Sequence, residues 1–233
     1  MPIWIVDEDY SMNHEFSTQH KNGVYRAIYQ RRDIRHFVND AVDPVVLQKL
    51  LAAAHAAPSV GLMQPWRFIR ISDSTIRRSL HQLAQQERIK TAEALGDRHD
   101  EFMRLKVEGI LECGELLVVG LMDRRERYIF GRRTLPEMDL ASVSCAIQNL
   151  WLAARAEGLG LGWVSLFDPV AVRTLLRMPE DSKPVAILCL GHVEQFYDEP
   201  MLQRDGWIQT GGLEDVVLEN CWDGDKAQRA HRR

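Results

Sequence analysis

Arg31-Arg32-Asp33-Ile34-Arg35 and, beyond one short helical stretch, Pro58-Ser59-Val60-Gly61-Leu62-Met63-Gln64-Pro65-Trp66 are the segments on which the reading of this chain turns. Three guanidinium groups within five residues form a natural cradle for a phosphate, because arginine offers planar, bidentate donors and stays charged at physiological pH. Asp33 in their midst has two readings: a counter-ion for its neighbours, or a working acid–base group beside an anionic ligand. A charged run after a helix is most often a solvated surface. The second segment shifts that balance. It sets Ser, Gly and Gln between two prolines, without charge, directly ahead of a strand pattern. Such a loop can present backbone N–H groups and a side-chain amide to a planar ligand. Together the two segments suggest a ligand with a phosphate and a heterocycle.

Outward from these segments, helices and strands alternate. A helix over 23–30 leads into the Arg cluster. Asp43-Pro44 supplies an N-cap and a first-turn proline, and Leu47, Leu50, Leu51 and Ala54 form one apolar stripe. That helix must end before Pro58. Trp66 to Ile71 alternates apolar and basic residues as a half-buried strand does. A polar helix opens at Asp73 or Ser74 and runs towards Ala94; after a loop over 96–99, a further helix is expected over 101–112. The apolar run 116–122 reads as a central strand. Asp139 is expected to start a helix with Leu140, Val143, Ile147, Leu150, Trp151 and Ala154 on one face, stopped by Gly158. Residues 161–167 and 184–190 read as strands, with Asp168-Pro169 capping a helix between them. The class is α+β or α/β, a sheet flanked by helices.

The chain has 233 residues, 45% of them hydrophobic and 27% charged, which is ample for a sizeable core. A formal net charge of −4 argues against non-specific nucleic-acid binding, and the basic stretch Arg229 to Arg233 reads as a frayed tail. Cys113, Cys145, Cys189 and Cys221 are dispersed, as expected of reduced, mostly buried thiols and not of a disulfide framework or zinc site. Met1 to Ser17 lacks the basic and then apolar order of a signal peptide, and no apolar run is long enough to span a bilayer. The expectation is a soluble, cytoplasmic protein with no metal, membrane or nucleic-acid partner.

Several familiar motifs are missing. Gly158-Leu159-Gly160-Leu161-Gly162 precedes a strand instead of following one, so its glycines are read as ending a helix and allowing close backbone approach. There is no phosphate-binding Gly-x-x-x-x-Gly-Lys loop, no His-Glu-x-x-His pair and no Gly-x-Ser-x-Gly elbow.

The Arg31–Arg35 cluster, Ala57-Pro58-Ser59 through Gln64-Pro65-Trp66, and Gly158-Leu159-Gly160 ahead of Trp163 stand in the order of landmarks in the FMN-dependent nitroreductase superfamily. The chain resembles that superfamily over most of its length. Asp33 stands where nitroreductases commonly have Ser, and Leu62 where they commonly have Asn. With Arg32-Asp33-Ile34-Arg35-His36-Phe37, Trp163-Val164-Ser165-Leu166-Phe167 and Gly206-Trp207, these positions resemble the flavin-fragmenting 5,6-dimethylbenzimidazole synthase branch.

The resemblance implies a nitroreductase-like α+β fold with a mixed central sheet, residues 1–233 forming a single FMN-binding domain. An N-terminal arm over about 1–20, a helical lid over about 84–112 and a C-terminal extension over about 198–233 would complete it. It also implies a homodimer with flavin sites at the subunit interface. Arg31, Arg32 and Arg35 would hold the FMN phosphate and ribityl end, Ser59 and Gln64 would contact the flavin, and the Gly61 amide would approach the ring. Met103 would be an apolar lid contact. Asp33 and Ser165 match the two side chains associated with flavin fragmentation.

The activity so implied is the oxygen-dependent fragmentation of reduced FMN to 5,6-dimethylbenzimidazole, the lower ligand of vitamin B12, and D-erythrose 4-phosphate. Reduced FMN would be substrate, molecular oxygen co-substrate, and a separate NAD(P)H-dependent flavin reductase the supplier. Asp33 would move protons near the ribityl carbons as a general base, and Ser165, which has no triad partners in view, would orient the ligand by hydrogen bonding. The alternative is an NAD(P)H-dependent FMN nitroreductase-type oxidoreductase that recycles its flavin; a non-catalytic flavin-binding module is a third reading.

Overall fold

The structure is a computed structural model and describes residues 14–222. Most of the expected N-terminal arm, and the basic stretch Arg229 to Arg233, lie outside the described residues.

Four strands form one sheet: β1 (Trp66–Arg70), β2 (Glu115–Leu121), β3 (Gly160–Val164) and β4 (Lys183–Gly191), in the order β1-β2-β4-β3. Every neighbouring pair is antiparallel. The mixed character expected of the sheet reduces to one parallel bridge, Asp33 to Leu161, on the outer edge of β3. There the Ile34 N–H donates to the Leu161 carbonyl at 3.0 Å. The chain after the first helix thus occupies the pairing edge that β3 would otherwise leave open.

The central strand β2 is buried along its whole length because helices cover both faces. Leu117, Val119 and Leu121 meet α2 (Pro44–His55) and α5 (Met138–Ala156) on one side. Leu116 and Val118 meet α3 (Ser74–Ala94) and α6 (Pro169–Leu175) on the other. The remaining helices are α1 (Thr18–Gln30), α4 (His99–Arg104) and two single turns, α7 (Met201–Arg204) and α8 (Leu213–Val216). No described helix is long and apolar enough to cross a membrane.

Helix starts follow the local chemistry. Asp43, Asp73 and Asp168 each accept backbone N–H bonds from the first turn of α2, α3 and α6. Two such bonds, from Ile76 and Thr75, hold the Asp73 carboxyl below its usual range. Gly158, at φ +76°, ends α5 as expected. The Leu159 N–H reaches the Ala154 carbonyl and the Gly158 N–H the Arg155 carbonyl, the paired bonds of a left-handed helix stop.

Three expectations are corrected. The helix expected over 101–112 lies at His99–Arg104 and stops there, because the Arg88 guanidinium takes the carbonyls of Met103 and Leu105. The helix expected from Asp139 starts one residue earlier, at Met138, and Asp139 is not at its surface. It is buried one residue inside the helix, where Arg125 Nε (2.9 Å) and Arg132 Nη2 (3.0 Å) meet the same carboxylate oxygen. Leu140 accordingly faces outwards, and Asp139, Ser142 and Ala146 take their place on the buried stripe. Of the cysteines only Cys113 and Cys189 are buried; Cys145, on the outer face of α5, and Cys221 are exposed.

Gly162 brings the 31–35 segment against β3. A Cβ there would lie 2.1 Å from the Ile34 carbonyl oxygen and 2.7 Å from Arg35 Nη1, so no side chain fits. Gly162→Ala is therefore expected to lower unfolding free energy by about 1–3 kcal/mol, the usual range for forced overpacking. Urea denaturation followed by circular dichroism checks this, and an unchanged midpoint would contradict the close approach.

Candidate active site

Beyond Gln30 the backbone leaves the helix at Arg31 and becomes extended. Alternation along this stretch sends neighbouring side chains in different directions, and the arginines take three distinct jobs. Arg35 folds back beneath Asp33 in a fork-to-fork pair, Nη1 to Oδ1 at 2.5 Å and Nη2 to Oδ2 at 2.7 Å. The same guanidinium donates to the carbonyls of Trp163 (2.9 Å) and Ile34 (3.2 Å). In return the Trp163 N–H donates to Asp33 Oδ1 at 2.9 Å. Arg35 is nearly enclosed, its side chain 10% exposed, whereas Asp33 keeps 44% of its side-chain surface open.

Arg32 donates to the carbonyls of Tyr29 (2.9 Å), Arg31 (2.8 Å) and Asp198 (2.6 Å), tying the end of α1 to the C-terminal segment. Its Nε is buried and has no hydrogen-bond partner. Arg31 lies over the indole of Trp151, 4.8 Å from the ring centroid. Among the described residues, no hydrogen bond engages its guanidinium.

Arg31, Arg32, Asp33, Arg35 and Ser165 all line one cleft of about 650 Å³. Trp151 and Trp163 form its indole wall, their ring centroids 6.5 Å apart, and Gln148 projects from the same helix as Trp151. The roof comes from Phe102, Leu105, Lys106 and Val107, and Met201, Leu202 and Trp207 close the far side. Lid and C-terminal segment meet at Trp207. Its ring lies 5.9 Å from that of Phe102 and 3.5 Å below the Arg98 guanidinium, which also donates to the Trp207 carbonyl at 2.9 Å. The Ser165 side chain is exposed and forms no hydrogen bond among the described residues.

Some expected contacts are not in this cleft. Met103 packs within the lid's own small core, with Ala92, Phe102 and Leu105, and does not line the cleft; the apolar lid residues that do are Phe102, Leu105 and Val107. Arg35, expected at the phosphate, is instead committed to Asp33 and two carbonyls.

Ser59, Gly61 and Gln64 belong to a tight loop supported by the other end of α5, where the Val60 N–H donates to Ser142 Oγ at 3.1 Å. Ser142 precedes Trp151 by about 14 Å of helix at 1.5 Å per residue. Ser59 Oγ accepts the Gln64 N–H at 3.0 Å. Gly61, Leu62 and Gln64 all have positive φ, and two of the three are not glycine, a concentration of backbone strain typical of functional loops. Leu62 and Phe130 beside this loop are almost fully exposed.

Phe102, Lys106, Gln148 and Trp151 escaped the sequence reading as site residues. Trp151 is legible only as part of an apolar helical stripe, and nothing in the local pattern of the lid separates Phe102 from Met103.

The residues present fit a ligand with an anionic end and a flat ring, as FMN has. The buried Nε of Arg32 lacks an acceptor, the N–H groups of Arg31 are uncommitted, and both lie beside an indole-lined wall. An unsatisfied buried donor costs free energy that a ligand oxygen would recover.

Comparison with known proteins agrees with this geometry. Residues 28–192 match the Nitroreductase family. The chain is 39% identical over 194 residues to a 5,6-dimethylbenzimidazole synthase of Rhodospirillum rubrum, covering 82% of this chain and 92% of that protein. It is 38% identical over 197 residues to a 5,6-dimethylbenzimidazole synthase of Rhodobacter capsulatus, covering 84% and 95%. The solved NADPH:FMN oxidoreductase of Vibrio harveyi, complexed with NAD+, superposes with a TM-score of 0.65 at 23% identity, over 90% of this chain and 83% of that one. The chain belongs to the nitroreductase family.

Proposed function

We propose that this protein is a 5,6-dimethylbenzimidazole synthase, fragmenting reduced FMN with molecular oxygen to the benzimidazole, D-erythrose 4-phosphate and an oxidised remnant of the flavin's pyrimidine ring, for cobalamin biosynthesis. The observation that carries the reading is the pinned carboxylate: Asp33 is held by Arg35 and the Trp163 N–H, yet opens into the same cleft as the free hydroxyl of Ser165. An acid–base group works best when its rotamer is locked by supporting hydrogen bonds. The similarity to curated synthases over most of the chain supports the same reading.

Reduced FMN supplies the electrons for oxygen and the carbon skeleton that leaves as the benzimidazole. This chain binds, orients and shields. Arg31 and the Nε of Arg32 hold the phosphate and neighbouring ribityl oxygens, and Arg35 positions Asp33 and does not contact the phosphate. Asp33 accepts a proton at the ribityl chain through Oδ2, whose second lone pair is left open by the bonds to Arg35 and Trp163. Ser165 donates a hydrogen bond that fixes the ligand against that carboxylate. The indoles of Trp151 and Trp163, with Phe102 and Trp207 opposite, keep water from the reacting atoms.

The loop with Ser59, Gly61 and Gln64 completes the site from a second copy of the chain. A homodimer with flavin at the interface gives the strained, exposed loop and the neighbouring Leu62 and Phe130 a partner. A separate NAD(P)H-dependent flavin reductase supplies reduced FMN, in the cytoplasm.

Asp33→Asn keeps an acceptor for the Trp163 N–H but removes the counter-ion of the enclosed Arg35, so its melting temperature should fall; the variant that remains folded should still bind oxidised FMN, measured by quenching of flavin fluorescence. Benzimidazole formation in a flavin-reductase-coupled assay should fall by about 100-fold or more; normal yield would remove Asp33 from the chemistry. If wild type instead recycles its flavin with NAD(P)H and a nitroaromatic acceptor, the oxidoreductase alternative is correct. Arg31→Ala should weaken FMN binding by about tenfold or more, the scale of one charge-assisted hydrogen bond. Unchanged affinity in the same titration would place the phosphate elsewhere.

A further inference from the structure

The segment that roofs the cleft is gripped from behind by the side chain that meets the end of α4, Arg88 of α3. Its Nη2 donates to the carbonyls of Met103 at 2.6 Å and Leu105 at 2.9 Å. These carbonyls lie at the C-terminal end of α4, where a helix leaves its last acceptors without internal partners. Arg88 Nη1 also reaches Gln85 Oε1 at 3.4 Å. One turn earlier, Gln85 Nε2 donates to Glu108 Oε1 at 3.2 Å, and His81 Nε2 lies 3.4 Å from that oxygen. The other oxygen of Glu108 accepts the Ile110 N–H at 2.7 Å.

His81, Gln85 and Arg88 therefore form one stripe of α3, at i, i+4 and i+7, that faces the back of the lid. The stripe holds the chain at 103–105 and again at 108. Lys106 and Val107 stand between the two grips and Leu105 at the edge of the first, and all three line the cleft. A second observation singles out Arg88: its Nε is buried without an acceptor. An apolar side chain would avoid that cost. In exchange one planar head group bonds both carbonyls through Nη2 and reaches Gln85 through Nη1, a fork that the compact ammonium of lysine does not reproduce.

We propose that Arg88 is a positioning residue for the reaction: it fixes Leu105, Lys106 and Val107 closed over the bound flavin without touching the ligand. The inference rests on the proposed function only for its reaction readout. With the roof released, flavin leaves faster and solvent enters. Reduced FMN then passes two electrons and two protons to oxygen, giving oxidised FMN and hydrogen peroxide in place of benzimidazole.

The test compares wild type, Arg88→Met and Arg88→Lys in the full-length protein. Dissociation of oxidised FMN is followed by stopped-flow fluorescence, the peroxide-to-benzimidazole ratio by chromatography and a peroxide assay, and folding by thermal melting. Arg88→Met should release FMN about tenfold faster, the scale of a lost charge-assisted hydrogen bond. It should raise the peroxide ratio, with a melting temperature still well above that of the assay, and Arg88→Lys should fall between. An FMN dissociation rate and peroxide ratio equal to wild type in folded Arg88→Met would overturn the proposal. Should that variant not fold, Arg88→Lys and Gln85→Ala, which loosens the second grip, decide by the same readings. Should wild type make no benzimidazole, the functional reading fails while the FMN dissociation rates still decide the role of Arg88.

Discussion

The fork-to-fork ion pair of Arg35 with Asp33, closed on both sides by the backbone of Trp163, is the interaction on which the site depends. A nearly enclosed guanidinium is tolerable only when its N–H groups find oxygen, because desolvating an unpaired charge costs several kcal/mol. Here the oxygens come from Asp33, Ile34 and Trp163. That requirement forces the 33–35 segment flat against β3 and explains why residue 162 must be glycine. The two readings of Asp33, counter-ion or acid–base group, are therefore not alternatives. Serving as the counter-ion of a buried arginine fixes the carboxylate in place, and its 44% open surface gives it a cleft to work in.

Around that fixed point the three arginines diverge, which no count of charges could reveal. Arg35 turns into the protein beneath Asp33, two residues away on the same side of the extended chain, Arg32 reaches the backbone carbonyls of Tyr29, Arg31 and Asp198, and Arg31 lies over an indole. The cluster divides its labour: one arginine positions a carboxylate, one ties α1 to the C-terminal segment with a donor to spare, and one remains free for an anion. The proposed phosphate clamp is thus narrower than the sequence suggests, Arg31 and the Nε of Arg32.

Much of the scaffold was legible in sequence because it rests on local rules. Asp43-Pro44, Asp73 and Asp168-Pro169 start helices where their side chains cap them, and Gly158 ends one in the left-handed conformation. The strands over 66–70, 115–121 and 183–191 are read from apolar runs. What failed depends on partners distant in the chain. The end of α4 is set by Arg88 on another helix, and Asp139 is buried because Arg125 and Arg132 come from the preceding loop to meet it. Among the residues that line the cleft, Asp33, Arg31, Arg32 and Ser165 stand out in the sequence through motif and resemblance. Phe102, Trp151 and Lys106 do not, since entering a cleft leaves no mark on a helix pattern. Ser59, Gly61 and Gln64 lie at the far end of α5, so their place at a flavin needs a second chain that no local rule can supply.

The central claim is that this site consumes flavin instead of recycling it. One aerobic reaction with chemically reduced FMN and stoichiometric protein, with products identified by chromatography and mass, tests it most directly. One 5,6-dimethylbenzimidazole is expected for each flavin lost. Full recovery of oxidised FMN with hydrogen peroxide as the only other product would contradict it.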